Sequence, residues 1–287
     1  MNLLDILQAS TPVLLVFAGI AGLIFGSFLN VVIHRLPIMM QGVWARETAQ
    51  MEGRESSPSE TFNLMQPASH CPHCNHVIRA WENIPLLSYL ILRGRCSQCK
   101  ASIAVRYPLL EAAASLLAVA VAWHFGASAQ TLFLMAFFWV LLVLTAIDID
   151  HQLLPDSLTL PLLWAGLLIN INHAFVPLED AVIGAAAGYL SLWCLYWTFK
   201  LLTGKDGMGY GDFKLFAAFG AWFGWASLPL IIMLAAIVGA IIGVSAIVVH
   251  GRDRQLPIPF GPYLCGAALV YVFWGETLSQ WYLGTLV

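Results

Sequence analysis

Charge is what this chain has least of. Only 13 Lys and Arg and 16 Asp and Glu stand among 287 residues, so 10% of the chain is charged and 60% apolar. That balance, with a positive mean hydropathy, excludes an ordinary soluble globular domain of this length. A formal charge of −3 carries no nucleic-acid signal. Asp5 is the only charge before the first apolar run, so the basic leader of a cleaved signal peptide is missing and the run reads as a retained helix. The chain also lacks a G-x-x-x-x-G-K-S/T phosphate loop and a Rossmann glycine fingerprint. Outside one polar insertion it has no soluble catalytic domain, internal repeat or low-complexity tract.

What is there is lipid-compatible. Apolar runs at or near the roughly 18 to 20 residues that cross a bilayer recur along the chain, as in Pro12 to Ile33 and Ser227 to Val249. The fold class expected is an all-α polytopic membrane protein of about eight transmembrane helices, at 12–34, 107–125, 130–147, 157–175, 180–200, 213–226, 228–249 and 262–284. The sixth is short. Basic residues test the layout. Arg35, Arg46, Arg54, Arg79, Arg93, Arg95, Lys100 and Arg106 lie between the first two spans, Lys200, Lys205 and Lys214 around the loop after the fifth, and Arg252 and Arg254 after the seventh. Eight alternating crossings put all of them on one side, which the positive-inside rule makes cytoplasmic. Three regions follow: 1–34, the first transmembrane helix; 35–106, a cytoplasmic insertion; and 107–287, a transmembrane core. Within the insertion, Trp44 to Gln66 has no apolar periodicity and reads as a mobile surface loop. Gly22 with Gly26, Gly184 with Gly188 and Gly239 with Gly243 have the spacing that lets helices approach closely in lipid.

Cys71, Cys74, Cys96 and Cys99 form two C-x-x-C knuckles. Four thiolates at this spacing match a tetrahedral structural zinc site, whose closed shell leaves no position for a catalytic water. A redox pair or disulfides are the competing reading, disfavoured by a reducing cytoplasm. Cys194 and Cys265 lie in apolar spans and read as core residues.

Acids at the ends of spans are functional suspects. Asp148, Asp150 and Asp156 lie where the third span ends and the fourth begins, and Asp212 opens the sixth after Gly207, Gly209 and Gly211. All map to the cytoplasmic side. Two carboxylates brought together share one proton; one then activates a water while the other donates to a scissile carbonyl, which is amide hydrolysis without a metal. Asp148 and Asp212 are the candidate catalytic pair. Gly209 and Gly211, with no side chains, let an extended peptide lie close to Asp212, and with Lys214 they are candidate substrate-binding or supporting residues. Asp156 also fits a helix N-cap, and Asp150, two residues beyond Asp148, turns to nearly the opposite helix face. A proton-relaying transporter or an assembly scaffold would use such acids differently, the first deeper in the membrane and the second not at all.

At these residues the sequence resembles the type IV prepilin peptidases, bifunctional leader peptidases and N-methyltransferases of the GxGD aspartic class. The likeness runs over nearly the whole chain. It includes Phe25 to Pro37 (FGSFLNVVIHRLP), the cysteine quartet, Trp81 to Pro85 (WENIP), Arg106 to Pro108 with Glu111, the Asp148 cluster, Gly207 to Lys214, and Pro259 to Pro262 (PFGP). The resemblance implies Asp148 and Asp212 as the catalytic aspartates and cleavage after a glycine that ends a short basic leader. It implies type IV prepilins and type II secretion pseudopilins as substrates, and a bacterial inner-membrane location with the active site facing the cytoplasm. It also implies methylation of the new N-terminal amine with S-adenosylmethionine as methyl donor. The acids Glu47, Glu52, Glu55, Glu60 and Glu82 could attract the leader's cations, or be ordinary solvated charges. Glu111, inside the second span, is expected to face protein and not lipid, and Asn30 and His34 to meet headgroups.

Overall fold

The computed structural model describes residues 3–53, 62–250 and 258–284. Arg54, Glu55, Glu60, Arg252 and Arg254 lie outside them. Among the described residues ten α-helices follow in order: α1 (Leu3–Ala9), α2 (Thr11–Met51), α3 (Leu87–Ile91), α4 (Arg106–Phe125), α5 (Ala129–His151), α6 (Asp156–Asn170), α7 (Leu178–Thr203), α8 (Tyr210–Phe223), α9 (Leu228–His250) and α10 (Gly261–Gly284). Among the described residues extended pairing is confined to two isolated bridges, His70 with Val77 and Arg95 with Ser102. Each expected span has its helix, and five helical segments are long and apolar enough to cross a membrane. The chain forms two compact units, Met1–Val143 and Leu144–Val287.

In the first unit α2 and α4 meet through glycine. A Cβ on Gly22 would lie 2.5 Å from the Ser115 Cα, and one on Gly26 2.8 Å from the Glu111 Cα. With the backbones this close, Ser115 Oγ donates to the Gly19 carbonyl (2.9 Å) and Asn30 Nδ2 to the Tyr107 carbonyl (3.1 Å). Asn30 thus ties two helices together instead of meeting headgroups. From α5, Trp139 stacks on Phe25 at 4.4 Å and its Nε1 donates to the Ala114 carbonyl.

One expectation is corrected here. α2 does not give way to a loop at Trp44; it runs on past Pro37 to Met51. Proline removes one helical hydrogen bond, but the residues that follow it are mainly good helix formers. Arg46 Nε and Thr48 Oγ1 also bond back to the Gly42 and Trp44 carbonyls. The end of the same segment is anchored too, because the buried Arg35 donates to the carbonyls of Asn63 (3.0 Å) and Pro67 (2.6 Å).

The second unit is built around α8. Fourteen residues rise only about 21 Å at ~1.5 Å each, short of a bilayer's roughly 30 Å core. Such a helix persists in an apolar setting by being enclosed by protein, and every residue from Asp212 to Phe223 except Lys214 is buried. Glycine again sets the spacing. The backbones of Gly184 on α7 and Gly220 on α8 leave no room for a Cβ on either, and a Cβ on Gly188 would lie 2.7 Å from the Phe216 carbonyl. At the far end Asn170, fully buried, donates to the carbonyls of Ala221 and Trp222 and accepts from the N–H groups of Phe175 and Val176. The last turn of α8 and the loop before α7 are satisfied by this one amide. The third glycine pair differs, since Gly239 and Gly243 face the Tyr263 and Ile258 side chains, not backbone.

Gly220→Ala is expected to destabilise the protein by about 1–3 kcal/mol through overpacking. Gly42→Ala, with nothing within 4 Å of the added methyl, should be neutral or slightly stabilising. Thermal unfolding of the detergent-purified variants checks both, and equal midpoints would contradict the α7–α8 contact.

Candidate active site and metal centre

Asp148 sits in the last turn of α5, following the buried Leu144 and Ile147. The chain then reverses at Gln152, which has φ of 53°, and Leu154 turns back inward before α6 begins. Asp212 stands in the first turn of α8, behind Gly209 at its N-cap. Both carboxylates are nearly sealed from solvent, with 5% and 6% of their residues' surface exposed. Asp148 Oδ2 accepts the backbone N–H of Gly261 at 3.0 Å, so the N-terminus of α10 directs a donor at it. Gly261 must be glycine for this, because a Cβ there would lie 2.7 Å from that oxygen.

Leu154 joins the two halves of the site. It lies 3.2 Å from where a Gly261 Cβ would stand, and its own Cβ lies 2.7 Å from where a Gly211 Cβ would stand. Thus Gly211, next to Asp212, and Gly261, bonded to Asp148, close on one leucine from two sides. Buried Asp212 Oδ1 has no hydrogen-bond partner among the described residues, an unsatisfied acceptor that is costly in an apolar setting unless a working role uses it.

Two further ties fix this frame. Lys214 Nζ reaches both oxygens of Asp156, at 2.6 and 2.7 Å, joining α8 to α6. Asp156 is therefore an ion-pair partner in the first turn of α6, while the N-cap position belongs to Pro155, which makes no side-chain capping bond. A second tie was not foreseen from the sequence. Tyr196 OH donates to Asp206 Oδ1 (2.6 Å), and Lys200 Nζ reaches both Asp206 (2.8 Å) and the Tyr196 hydroxyl (3.1 Å). The glycine-rich loop is thereby strapped to the end of α7, and Tyr210 packs its ring against Tyr196 and Phe213 just before Asp212. Asp150 is exposed. Of the two cysteines read as core, Cys194 is exposed and Cys265 is buried.

In the first unit the four cysteine sulfurs all lie within 4.8 Å of one another. Cys71 and Cys99 are 3.7 Å apart, Cys74 and Cys96 4.0 Å. Metal–sulfur bonds of about 2.3 Å in a tetrahedron require sulfurs about 3.8 Å apart, so the quartet could hold one metal ion. The knuckles repeat each other in backbone. Cys71 N bonds the His76 carbonyl and Cys96 N that of Ala101, and Asn75 and Lys100, each four residues past a cysteine, share φ of 57° and 59°. Backbone N–H groups of Cys99 and Gln98 hold the Cys96 thiol below its ordinary range, while burial and the neighbouring thiols push Cys99 up.

Glu82 holds the knuckles together. Its carboxylate accepts from Ser97 in the second knuckle, from the Arg79 N–H, and from His76 beside the first, which together bring it down to about 2 from an ordinary 4.5. Only 5% of the side chain is exposed, so Glu82 is not one of the solvated acids available to a cationic peptide; Glu47 remains exposed on α2. Glu111 plays a similar part at the base of the loop. Buried in α4, it accepts the Leu86 N–H at 2.8 Å and so faces protein, as its position within a span requires.

Comparison with known proteins agrees with this arrangement. Residues 20–125 match the model of the bacterial peptidase A24 N-terminal domain, and residues 135–244 match that of the type IV leader peptidase family. The chain is 55% identical to a prepilin leader peptidase/N-methyltransferase of Stutzerimonas stutzeri, covering 96% of each chain. It is 53% identical to one of Pseudomonas aeruginosa, over 99% of this chain and 98% of the relative. For one of Legionella pneumophila the figure is 48%, over 93% of each. No solved structure matches.

A depressed folded pKa makes the Glu82 contribution full above its unfolded value and removes it as pH falls through the folded one. Cleavage of the 62–104 segment by an acid-tolerant protease should therefore rise between about 4.5 and about 2. At neutral pH Glu82→Gln should expose the same segment to limited proteolysis while Glu47→Gln does not. Equal protection in the two variants would contradict the role given to Glu82.

Proposed function

The chain belongs to the type IV leader peptidase family, and we propose that Asp148 and Asp212 perform its cleavage of prepilin leaders. The observation that carries this reading is a pair of sealed carboxylates on different helices whose neighbouring glycines close on Leu154, one held by a backbone N–H and the other with a buried oxygen left unpaired. In the reaction one carboxylate takes a proton from water, and the resulting hydroxide adds to the carbonyl carbon of the scissile amide. The other, protonated, first donates to the carbonyl oxygen; collapse of the tetrahedral adduct then passes a proton to the leaving amine. The glycines at 209 and 211 support an extended peptide lying against Asp212, and the Lys214–Asp156 pair supports the helix that carries it.

The same enzyme N-methylates the new terminus, and S-adenosylmethionine would supply the methyl group. Zinc suits the cysteine quartet by the donor set and the sulfur spacing, and its role would be to fold the loop. The basic residues support a bacterial inner-membrane location with the active site facing the cytoplasm, where the basic leader of a pilin or type II secretion pseudopilin would be retained while the following apolar helix stays in the bilayer. Regions 35–106 and 107–287 then divide the labour, the insertion holding the metal and the core holding the peptidase pair.

The test is incubation of detergent-purified enzyme with a prepilin, with and without S-adenosylmethionine, followed by mass spectrometry. Asp148→Asn and Asp212→Asn should each lower cleavage at least about a thousandfold, the loss expected when one member of a catalytic unit is removed, and still methylate a precleaved pilin. Gly261→Ala, which displaces the Asp148 carboxylate, should cost about a hundredfold with the fold intact. Normal cleavage by Asp212→Asn would remove it from the mechanism. For the quartet, Cys71→Ser should lower the zinc content measured by elemental analysis; active wild-type enzyme free of zinc would end that assignment.

A further inference from the structure

Neither the peptidase pair nor the cysteine quartet accounts for α3. This five-residue helix buries none of its side chains and leaves Leu87, Leu90 and Ile91 exposed by 49%, 70% and 65%. The turn after it is fixed. Arg93 and Gly94 both have positive φ, Gly94 N–H bonds the Tyr89 carbonyl at 2.8 Å, and a Cβ on Gly94 would strike the Tyr89 ring. This geometry presents Arg93 and Arg95 beside the apolar tip. With Lys100 from the second knuckle and with Ile91 and Leu92, they line one open hollow. Arg93 and Arg95 are exposed and form no ion pair among the described residues; Lys100 spends one donor on the Ser97 carbonyl.

Glu111 fixes where this patch stands. It holds the Leu86 N–H, the group that precedes α3, from the second turn of α4, a helix long and apolar enough to cross a membrane. Five residues from Arg106 to Glu111 correspond to about 8 Å along the helix. That matches the roughly 5–10 Å depth at which amphipathic segments rest between headgroups and acyl chains. We propose that α3 and the Arg93–Arg95 turn form a membrane-surface foot that binds anionic phospholipid. Leu87, Leu90 and Ile91 enter the acyl boundary, and Arg93, Arg95 and Lys100 take the phosphate. A basic leader peptide is the wrong occupant, since the same three cations repel it. The inference uses the membrane placement proposed above but not the peptidase assignment.

The experiment is native mass spectrometry of the full-length protein in detergent with equimolar phosphatidylglycerol and phosphatidylcholine. Wild type should retain phosphatidylglycerol preferentially. Arg93→Gln with Arg95→Gln should weaken that retention about 30-fold, the equivalent of two surface charges, while leader cleavage in detergent stays normal. Leu90→Asn with Ile91→Asn should weaken retention of both lipids. A photoreactive benzoylphenylalanine at position 91 in phosphatidylglycerol-containing liposomes should crosslink to lipid. Equal phosphatidylglycerol retention by wild type and the arginine variant, displacement of the lipid by soluble glycerophosphate, or crosslinking of position 91 to added prepilin in place of lipid would each overturn the proposal.

Discussion

The contact of bare backbones between α7 and α8 is the constraint on which the candidate active site depends. α8 is too short to cross a bilayer and too apolar to be left in water, so it persists only because its neighbours enclose it. Gly184 and Gly188 let α7 approach until carbonyls of α8 stand where a side chain would be, and Asn170 satisfies the end that this approach leaves inside. The depth of α8 in turn fixes Asp212. A charge-bearing residue in its first turn is then sealed with one oxygen unpaired, a cost that a purely structural helix would have no reason to bear.

The surroundings of that carboxylate keep it in position without neutralising it. Lys214, the nearest cation in sequence, is committed to Asp156, and Lys200 to Asp206. Asp148 receives a backbone donor, not a counter-ion. Under the proposed mechanism, two such acids without a strong cation would share a proton, the state that water activation needs. Glycine at 211 and 261 keeps this approach open, since a methyl group at either position would collide with Leu154 or with Asp148 itself.

Much of this was legible in the sequence because lipid permits few solutions. Apolar run length found a helix at each expected span, five of them in segments long and apolar enough to cross a membrane, though α2 runs well past its expected end. The cysteine spacing gave a quartet whose sulfurs meet, and the acids at span ends gave two buried carboxylates whose neighbouring glycines close on one leucine. What escaped depended on contacts between residues distant along the chain. Pattern alone could not show that Tyr196, Lys200 and Asp206 form one clasp, nor that Gly261 donates to Asp148 across more than a hundred residues. Glu82 looked like a solvated acid because its partners, His76 and Ser97, belong to different knuckles. The helical run beyond Trp44 was missed because polar residues around a proline resemble a loop when no packing partner is in view.

The central claim is that Asp148 and Asp212 act as one unit. Single-turnover leader cleavage by the wild type, the two single Asn variants and the double variant tests it most directly, because groups that share one chemical step lose their effect together. The double variant should be no slower than the slower single variant. Losses that multiply, with each aspartate contributing independently of the other, would contradict a shared mechanism.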